Sequence, residues 1–410
     1  MKRENLRGLL IIFLVSMVSL HVAIAWRARE LVRRAYPDFT IFYSAGTILR
    51  QGLGHQLYDE ATQFRIQQEF AAGVSIRQGP LPYNHPPFEA LIFLPLAWLP
   101  YFSAYLLWDL LNVLMLLAVV LLLRPHIRML QRSSAFFWVF VSLAFFPVFI
   151  ALLQGQDSIL LLLLFTLAFV ALKKDADFSA GCWLGLGLFR FHLVLPLLFI
   201  LLLQKRRKTL LGFVLVAFAL GIISVVIVGW EGALHYPGYV WHLESIMGRG
   251  SIVPADMPNL RGLVSTVLTA PSLKLVADIG IALLSAALLF FASSNWRAAS
   301  TGTVFDLGFS LTLVVTVLVS YHALDYDLSL LFPAVLLLIN HLQNAEPPPH
   351  GWLRLALFGP IFILFLSPLY IMVLFLRYGH LAWLAPVLLL WCWGLSSEIS
   401  KYRSPAEQTS

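Results

Sequence analysis

The chain has 410 residues, of which 60% are hydrophobic and 12% are charged, and its formal net charge is +7. Because a soluble domain carries about 25% charged residues, this composition excludes a soluble globular protein and indicates an integral membrane protein. The basic residues lie in short clusters between apolar segments, where orientation in a membrane explains them, so binding of nucleic acid is not expected.

Apolar stretches that are long enough to span a membrane recur along the chain. A spanning helix needs about 20 mostly apolar residues, and such stretches lie near 8–26, 101–123, 134–153, 157–172, 208–229, 272–292, 303–321, 327–342, 352–376 and 380–397. The first resembles a signal peptide, but its apolar run is longer than the usual ~7 to 15 residues and no clean cleavage site follows. We therefore predict a retained first helix in an all-α polytopic protein, one domain over residues 1–410 with about ten spanning helices.

The apolar stretch at 179–203 is unusual because "LFRFH" (Leu188 to His192) interrupts it, and "KKDAD" and "QKRRK" flank it. A single crossing would carry "QKRRK" out of the cytoplasm, against the positive-inside rule. We predict instead a broken pair of short helices that enters and leaves from the cytoplasmic side. The N terminus and the other basic loops, including those around Arg297 and at 401–403, are then cytoplasmic as well.

Two long loops are predicted on the outer side, at 27–100 and 230–271. The first contains "DFTIFYSAGTILRQG", "LYDEATQFRIQQEFAAG" with an Asp start and a Gly stop, and "PPFEALIFLPLAWLP". These segments predict amphipathic helices that lie in the outer interface and cover a membrane-facing cavity. The basic sequence "RARELVRR" at 27–34 is expected outside, since long loops translocate largely regardless of charge.

Several polar residues in the first loop are candidates for function. Asp38 lies among aromatic residues in "YPDFTIFYSAG" and is either the N-cap of a helix or a general base. In "LPYNHPPFEA", Tyr83 and His85 are either interface residues or a hydrogen-bonding wall for a polar substrate. Glu89 is an acid in an apolar segment, so it either has a function or pairs with an arginine.

Three later motifs also carry polar residues. In "LLQGQDSILLL", Asp157 or Ser158 is expected to cap a helix, and Gln154 and Gln156 to point toward the outer cavity. Arg190 lies about 15 Å along the 179–203 segment, where a charge is costly, so it either snorkels or binds an anion such as phosphate.

The last motif, "SYHALDYDLSLLFP", offers a cap by Asp325, or a cluster of His322, Asp325 and Asp327 that supports a leaving phosphate. One histidine and a D-x-D triplet are weak evidence for a metal site, and none is predicted. The cysteines, Cys182 and Cys392, lie in apolar stretches and are expected to be hydrophobic residues rather than a disulfide or metal pair.

Taken in order, four sequences resemble the polyprenol-phosphate-sugar glycosyltransferases of the GT-C fold, specifically glycosyltransferase family 87: "DFTIFYSAG…LYD…YNHPPFEALIFLPLAWLP…LLW", "GQDSILLLLL", "AGCWLGLGLFRFHLVLPLLFILLLQKRR" and "YHALDYDLSLLFPAVLLL". That family includes mycobacterial mannosyltransferases that build phosphatidylinositol mannosides. The resemblance covers about residues 8–342 and implies a GT-C-type helical bundle. It also implies a multi-pass protein of the inner (plasma) membrane with its active site on the periplasmic side.

The resemblance implies inverting transfer of a hexose, mannose being the expected sugar, from a polyprenyl-phosphate donor to a lipid or glycolipid acceptor. The catalytic base falls on Asp38, and donor phosphate binding falls on Arg190 and His322. Substrate binding is assigned to Tyr43, Tyr58, Tyr83, His85, Glu89, Gln156, Asp325 and Asp327. The donor, the acceptor and membrane lipids are the expected partners, and no cofactor or metal is implied.

Three positions depart from the family pattern. His85 precedes two prolines where a tyrosine is more usual, Asp157 follows "GQ" where an apolar residue is more common, and Arg190 with Phe191 replaces a lysine followed by proline. These departures bear on sugar and acceptor identity more than on reaction type. The alternatives are a transporter or lipid flippase with an anionic substrate, although the sequence shows no internal repeat, and a structural membrane subunit.

Overall fold

The computed structural model describes residues 3–71, 81–245, 253–296 and 302–402, and within these ranges it contains helices and no strands. The first helices are α1 (Arg3–Arg33), α2 (Phe39–Arg50), α3 (Glu60–Phe70), α4 (Ala90–Phe93), α5 (Tyr101–Leu123), α6 (Arg128–Gln131), α7 (Ala135–Ala144), α8 (Phe146–Gln154), α9 (Ser158–Lys173) and α10 (Asp177–Leu186). They are followed by α11 (Phe191–Leu203), α12 (Arg207–Ser245), α13 (Leu260–Val267), α14 (Lys274–Trp296), α15 (Gly302–Val319), α16 (Phe332–Leu342), α17 (Gly351–Phe365), α18 (Ser367–Tyr370) and α19 (Leu384–Ser400).

The predicted all-α, polytopic class is confirmed. By length and hydropathy, 8 helices are candidates to cross a membrane, and up to 10 if each of two bent pairs counts as one span. Nine of the ten predicted spans are among these candidates, the tenth being the shorter apolar helix Ser158–Lys173, and the remaining candidate is Asp177–Leu203, which was predicted as the broken pair. The predictions that concern residues 72–80, 246–252, Arg297 and Arg403 lie outside the described residues.

Two of the predicted spans are sharply bent. The pair α7 and α8 turns by 80° at Phe145, and α17 and α18 turn by 66° at Leu366. One buried side chain of α1 joins the two bends, because His21 Nδ1 contacts the Leu143 carbonyl at 2.8 Å and His21 Nε2 contacts Ser367 Oγ at 2.7 Å. At the first bend the histidine thus supplies a polar partner for a backbone carbonyl beside the helix break, and at the second bend it contacts a serine side chain.

The segment from α10 to α11 forms a hairpin, as predicted. By length alone, its 27 residues would pass as one span, and a straight helix of that length would hold its ends about 40 Å apart. Yet Arg206, just beyond α11, bonds through Nη1 to Asp177 Oδ1 at 2.7 Å at the start of α10. The chain must therefore reverse, and it does so in a 3-10 turn at Gly187–Arg190.

Glycines let the hairpin pack closely on α12, which yields a test of this arrangement. A Cβ at Gly181 would meet the Thr209 carbonyl oxygen at 1.9 Å, whereas a Cβ at Gly221 of α12 would meet no atom within 4 Å. Gly181→Ala is expected to destabilise the protein by about 1–3 kcal/mol through overpacking. Gly221→Ala is expected to be neutral. Equal thermal midpoints of the two variants in detergent would contradict the hairpin packing.

The described parts of the first long loop, residues 34–71 and 81–100, pack together on protein. Nine of the 12 residues of α2 are buried against protein, so α2 is not an amphipathic helix with one exposed face, while its place in the membrane interface stays a prediction. The reason is close packing on the distant segment around α4, where a Cβ on Gly46 would meet the Phe93 carbonyl oxygen at 2.5 Å. The loop forms its own hydrophobic cluster, which includes Phe39, Phe42 and Phe93 and the first turns of α5.

Some helix boundaries in the structure agree with those predicted from the sequence, and others do not. Asp59 caps α3 as predicted, with its carboxylate accepting from the Thr62 N–H at 2.8 Å. The segment "PPFEALIFLPLAWLP" forms α4 between two short 3-10 turns instead of one continuous helix. Helix α1 continues to Arg33, so most of "RARELVRR" is helical. Helix α12 kinks at Gly229, where φ is 78°, at the predicted end of that span.

Candidate active site

Asp38 precedes the first residue of α2, but its side chain does not cap that helix. The carboxylate makes no cap hydrogen bond, and its Oδ2 accepts instead from Gln156 Nε2 at 2.8 Å. The Asp38 backbone N–H donates to Gln154 Oε1 at 3.2 Å. Side-chain capping, one of the two interpretations that the sequence left open, is therefore wrong. The half-buried carboxylate is held against the corner between α8 and α9.

Gln156 connects Asp38 to the tip of the hairpin. Its side chain is 1% exposed, and while its amide nitrogen donates to Asp38, its amide oxygen accepts from Arg190 Nη2. The corner has the shape that this contact needs because Gly155 adopts a left-handed conformation, with φ of 62°, at the end of α8. A single amide thus joins the candidate base and the candidate phosphate ligand.

Arg190 is buried at the hairpin tip and is bound by acids. Its Nε and Nη2 donate to Asp157 Oδ1 at 2.8 and 2.5 Å, and its Nη1 lies 3.5 Å from Asp327 Oδ1. A buried guanidinium needs such partners, since an unpaired buried charge is strongly destabilising. It does not snorkel to the surface. Asp157, expected as a helix cap, makes no cap hydrogen bond and uses its carboxylate for Arg190.

The two aspartates of "DYD" have separate roles. Asp327 Oδ2 accepts from the Leu324 N–H at 2.9 Å, while its Oδ1 faces Arg190 and accepts from Ser158 Oγ at 3.4 Å. Asp325 Oδ1 accepts from the N–H of Tyr326 at 3.0 Å. The expected cap by Asp325 was therefore wrong, and Asp327 makes that contact.

A second polar group lies where the first long loop meets the same corner. His85 Nδ1 lies 2.8 Å from Glu89 Oε2, and Tyr83 Oη donates to the same oxygen at 3.2 Å. Burial lowers the pKa of His85 to about 3, and the nearby Arg190 charge acts in the same direction. Burial raises the pKa of Glu89 well above its ordinary value, and repulsion by Asp157 adds to this effect.

A cavity of about 490 Å³ opens beside α11, just after Arg190. Its polar end holds His192, whose ring lies 5.6 Å from that of His322 and whose Nδ1 contacts Ser320 Oγ at 3.0 Å. The rest is largely apolar and follows α11 to Leu202, about 16 Å along the helix. The cavity lies between α11, α12, α14 and the end of α15.

Comparison with protein families decides the class of the protein. The sequence model of the family described as glycosyltransferase family 87 matches residues 83–321, more than half of the chain. The chain belongs to glycosyltransferase family 87. Comparisons with curated proteins and with solved structures gave no match.

Membership of glycosyltransferase family 87 makes the protein a membrane glycosyltransferase. The matched interval contains His85, Gln156 and Arg190, and it is shorter than the resemblance drawn from the sequence. Asp38 and Asp327 lie outside it, on either side. The structure nevertheless brings both into the same cluster as the matched residues.

Two tyrosines that were expected to bind substrate hold the loop of this family 87 protein together. Tyr43 is buried and donates to the Leu99 carbonyl at 2.7 Å, and burial raises its pKa. Tyr58 donates to the His85 carbonyl at 2.8 Å and packs on Tyr236 of α12. His192 was missed as a site residue, although a histidine two positions after Arg190 in an apolar segment was a visible signal.

Proposed function

We propose that the protein transfers a hexose, in our assignment mannose, from a polyprenyl-phosphate donor to a hydroxyl group of a lipid or glycolipid acceptor. The observation that supports this best is the bridge formed by Gln156, which joins Asp38 to Arg190. A sugar transfer needs a base for the attacking hydroxyl and a cationic environment for the departing phosphate, close to each other.

The cavity beside α11 supports a lipid-linked donor rather than a sugar nucleotide. Its polar end holds His192, which lies beside His322 and two residues after Arg190, and its apolar wall follows α11 to Leu202. An isoprenoid chain matches such a wall, because burying apolar surface is favourable. We therefore assign the chain of the donor to the cavity and its phosphate to the end at His192 and His322.

The proposed chemistry is a single displacement. The acceptor oxygen attacks the anomeric carbon, the bond from that carbon to the phosphate oxygen breaks, and Asp38 takes the proton of the hydroxyl group. The products are the inverted glycoside and polyprenyl phosphate. Arg190 is held by Asp157 and Asp327, and the longer contact, to Asp327 at 3.5 Å, is the one that we expect the phosphate to replace.

We further propose that the reaction takes place on the extracytoplasmic face of the plasma membrane. The support is the charge pattern, because the basic sequences at 124–132, 173–174 and 205–208 all lie on the opposite side from Asp38 in the predicted topology. The acceptor would approach from the same face as the first long loop.

The test uses purified protein with labelled polyprenyl-phosphate mannose and a lipid extract. We expect a labelled lipid product from this donor and none from a mannose nucleotide. Ser285→Trp, inside the cavity, is expected to raise the donor KM by about tenfold or more. The matched Leu283→Trp, at a position 67% exposed on the same helix, should leave it unchanged.

The rival function, transport of an anionic lipid, predicts a different result. A flippase would move labelled donor across proteoliposomes without forming a new glycosidic bond. If the wild-type protein moved the donor across the membrane but formed no labelled product with any acceptor mixture, this result would contradict the proposed transfer.

A further inference from the structure

Two buried carboxylates face each other beside His85. Glu89 and Asp157 are both 0% exposed, and one possible ligand atom from each of these acids and from His85 lies within 4.8 Å of the other two. Glu89 Oε1 and Asp157 Oδ2 accept from no N–H or O–H donor of another residue among those that the structure describes. Since ionised carboxylates accept but cannot donate, these two oxygens need either a shared proton or a metal cation between them.

The charge of the cluster indicates which kind of cation is needed. Arg190 contacts Asp157 and Asp327, and Asp157 in turn lies against Glu89, so one positive charge faces three acids. A single proton would leave one negative charge uncompensated in a buried site, whereas a divalent cation would neutralise the excess. Buried charges are tolerated when they are paired or coordinate a metal.

We propose that His85, Glu89 and Asp157 bind one divalent transition-metal ion. An imidazole nitrogen with two carboxylate oxygens is a ligand set that Zn²⁺ accepts, while Mg²⁺ and Ca²⁺ prefer oxygen ligands alone. His85 and Glu89 lie on the first long loop, and Asp157 lies at the corner between α8 and α9. The ion therefore ties the loop that carries Asp38 to the corner that carries Gln156.

Hydrogen bonds to the other carboxylate oxygens of Glu89 and Asp157 fit this assignment. Tyr83 Oη donates to Glu89 Oε2 at 3.2 Å, and Arg190 donates to Asp157 Oδ1 at 2.8 Å. Such outer hydrogen bonds orient carboxylate ligands and leave their other oxygen for the metal. The unpartnered oxygens are those that remain, Glu89 Oε1 and Asp157 Oδ2.

The test measures metal binding directly, without any sugar-transfer assay. The full-length protein in detergent is stripped with EDTA, dialysed, and titrated with ZnCl₂ alone, and bound zinc is counted by mass spectrometry. We expect one Zn²⁺ per chain and a higher thermal midpoint on reloading. Glu89→Gln and His85→Asn should each weaken Zn²⁺ binding by more than about 100-fold, beyond what loss of an outer contact causes.

A matched control is available in the same chain. His341 and Glu398 form another buried pair, at 3.0 Å, whose carboxylate is already neutralised by Lys401 at 2.6 Å. Glu398→Gln should therefore leave Zn²⁺ binding unchanged. Loss of zinc in this variant as well would contradict a site at Glu89.

Two results would overturn the metal site. The first is less than about a tenth of a zinc ion per chain after reloading, together with an infrared band of a protonated carboxyl group that disappears in Glu89→Gln. That result would assign a shared proton to the pair. The second is equally tight binding of Mg²⁺ and Zn²⁺, which would remove His85 from the ligand set.

Discussion

Asp38→Asn is expected to lower the rate of sugar transfer by about 10²- to 10⁴-fold, the range typical of a lost general base. The amide cannot take the proton of the acceptor hydroxyl, although it keeps the size of the side chain. Because Asp38 makes no cap hydrogen bond in α2, the thermal midpoint should change little. The measurement is the initial rate with labelled lipid-linked mannose at saturating acceptor.

The same substitution at Asp59 provides the control. Asp59 also precedes a helix of the first long loop, and it does cap that helix, but asparagine caps almost as well as aspartate. Asp59→Asn should retain both rate and stability. If Asp38→Asn turned over at the wild-type rate, Asp38 would not be the base.

Arg190→Gln is expected to have the largest effect on stability, about 3–5 kcal/mol, because it leaves the Asp157 and Asp327 carboxylates buried without their cation. Donor affinity should fall as well if the guanidinium also binds the phosphate. Arg190→Lys keeps the charge but loses the fork of donors, so an intermediate effect is expected. Thermal midpoints and donor binding to purified protein measure the two effects separately.

A second substitution distinguishes a structural arginine from a phosphate ligand. Arg190→Gln combined with Asp157→Asn removes the unpaired acid together with the cation, so part of the lost stability should return. Donor affinity should stay low in the double variant. Full recovery of donor affinity would show that Arg190 acts only through the fold.

The hairpin of α10 and α11 could be predicted because its signal is local. "QKRRK" fixes the side on which the segment ends, and "LFRFH" marks the turn. The burial of α2 could not be predicted in this way. Its "SAGT" residues are small and weakly polar, so the sequence does not show that they are buried, and only the contact of Gly46 with Phe93 shows that they pack against protein.

Prolines show why the bends at Phe145 and Leu366 were missed. Pro147 and Pro368 each follow a bend, as the second residues of α8 and α18. Yet Pro196 and Pro360 lie inside α11 and α17 without ending them. A proline permits a break, but whether the helix breaks depends on the partners available to the freed backbone groups.

The site residues were largely visible in the sequence, but their contacts were not. Asp157 and Arg190 are separated by 33 residues, and capping and phosphate binding were each plausible when the residues were considered singly. The three departures from the family pattern, at His85, Asp157 and Arg190, prove to be neighbours. This proximity links two of them directly, since a buried aspartate at 157 needs a cation and the guanidinium fork of Arg190 donates to it through two nitrogens.

The two contacts of His21 also constrain the order in which the chain assembles. The histidine joins residues 122 and 346 positions away along the chain, so the bends at Phe145 and Leu366 cannot both be satisfied until α17 and α18 have been inserted beside α1. The shape of the catalytic bundle is thus completed late in synthesis, when the C-terminal helices arrive.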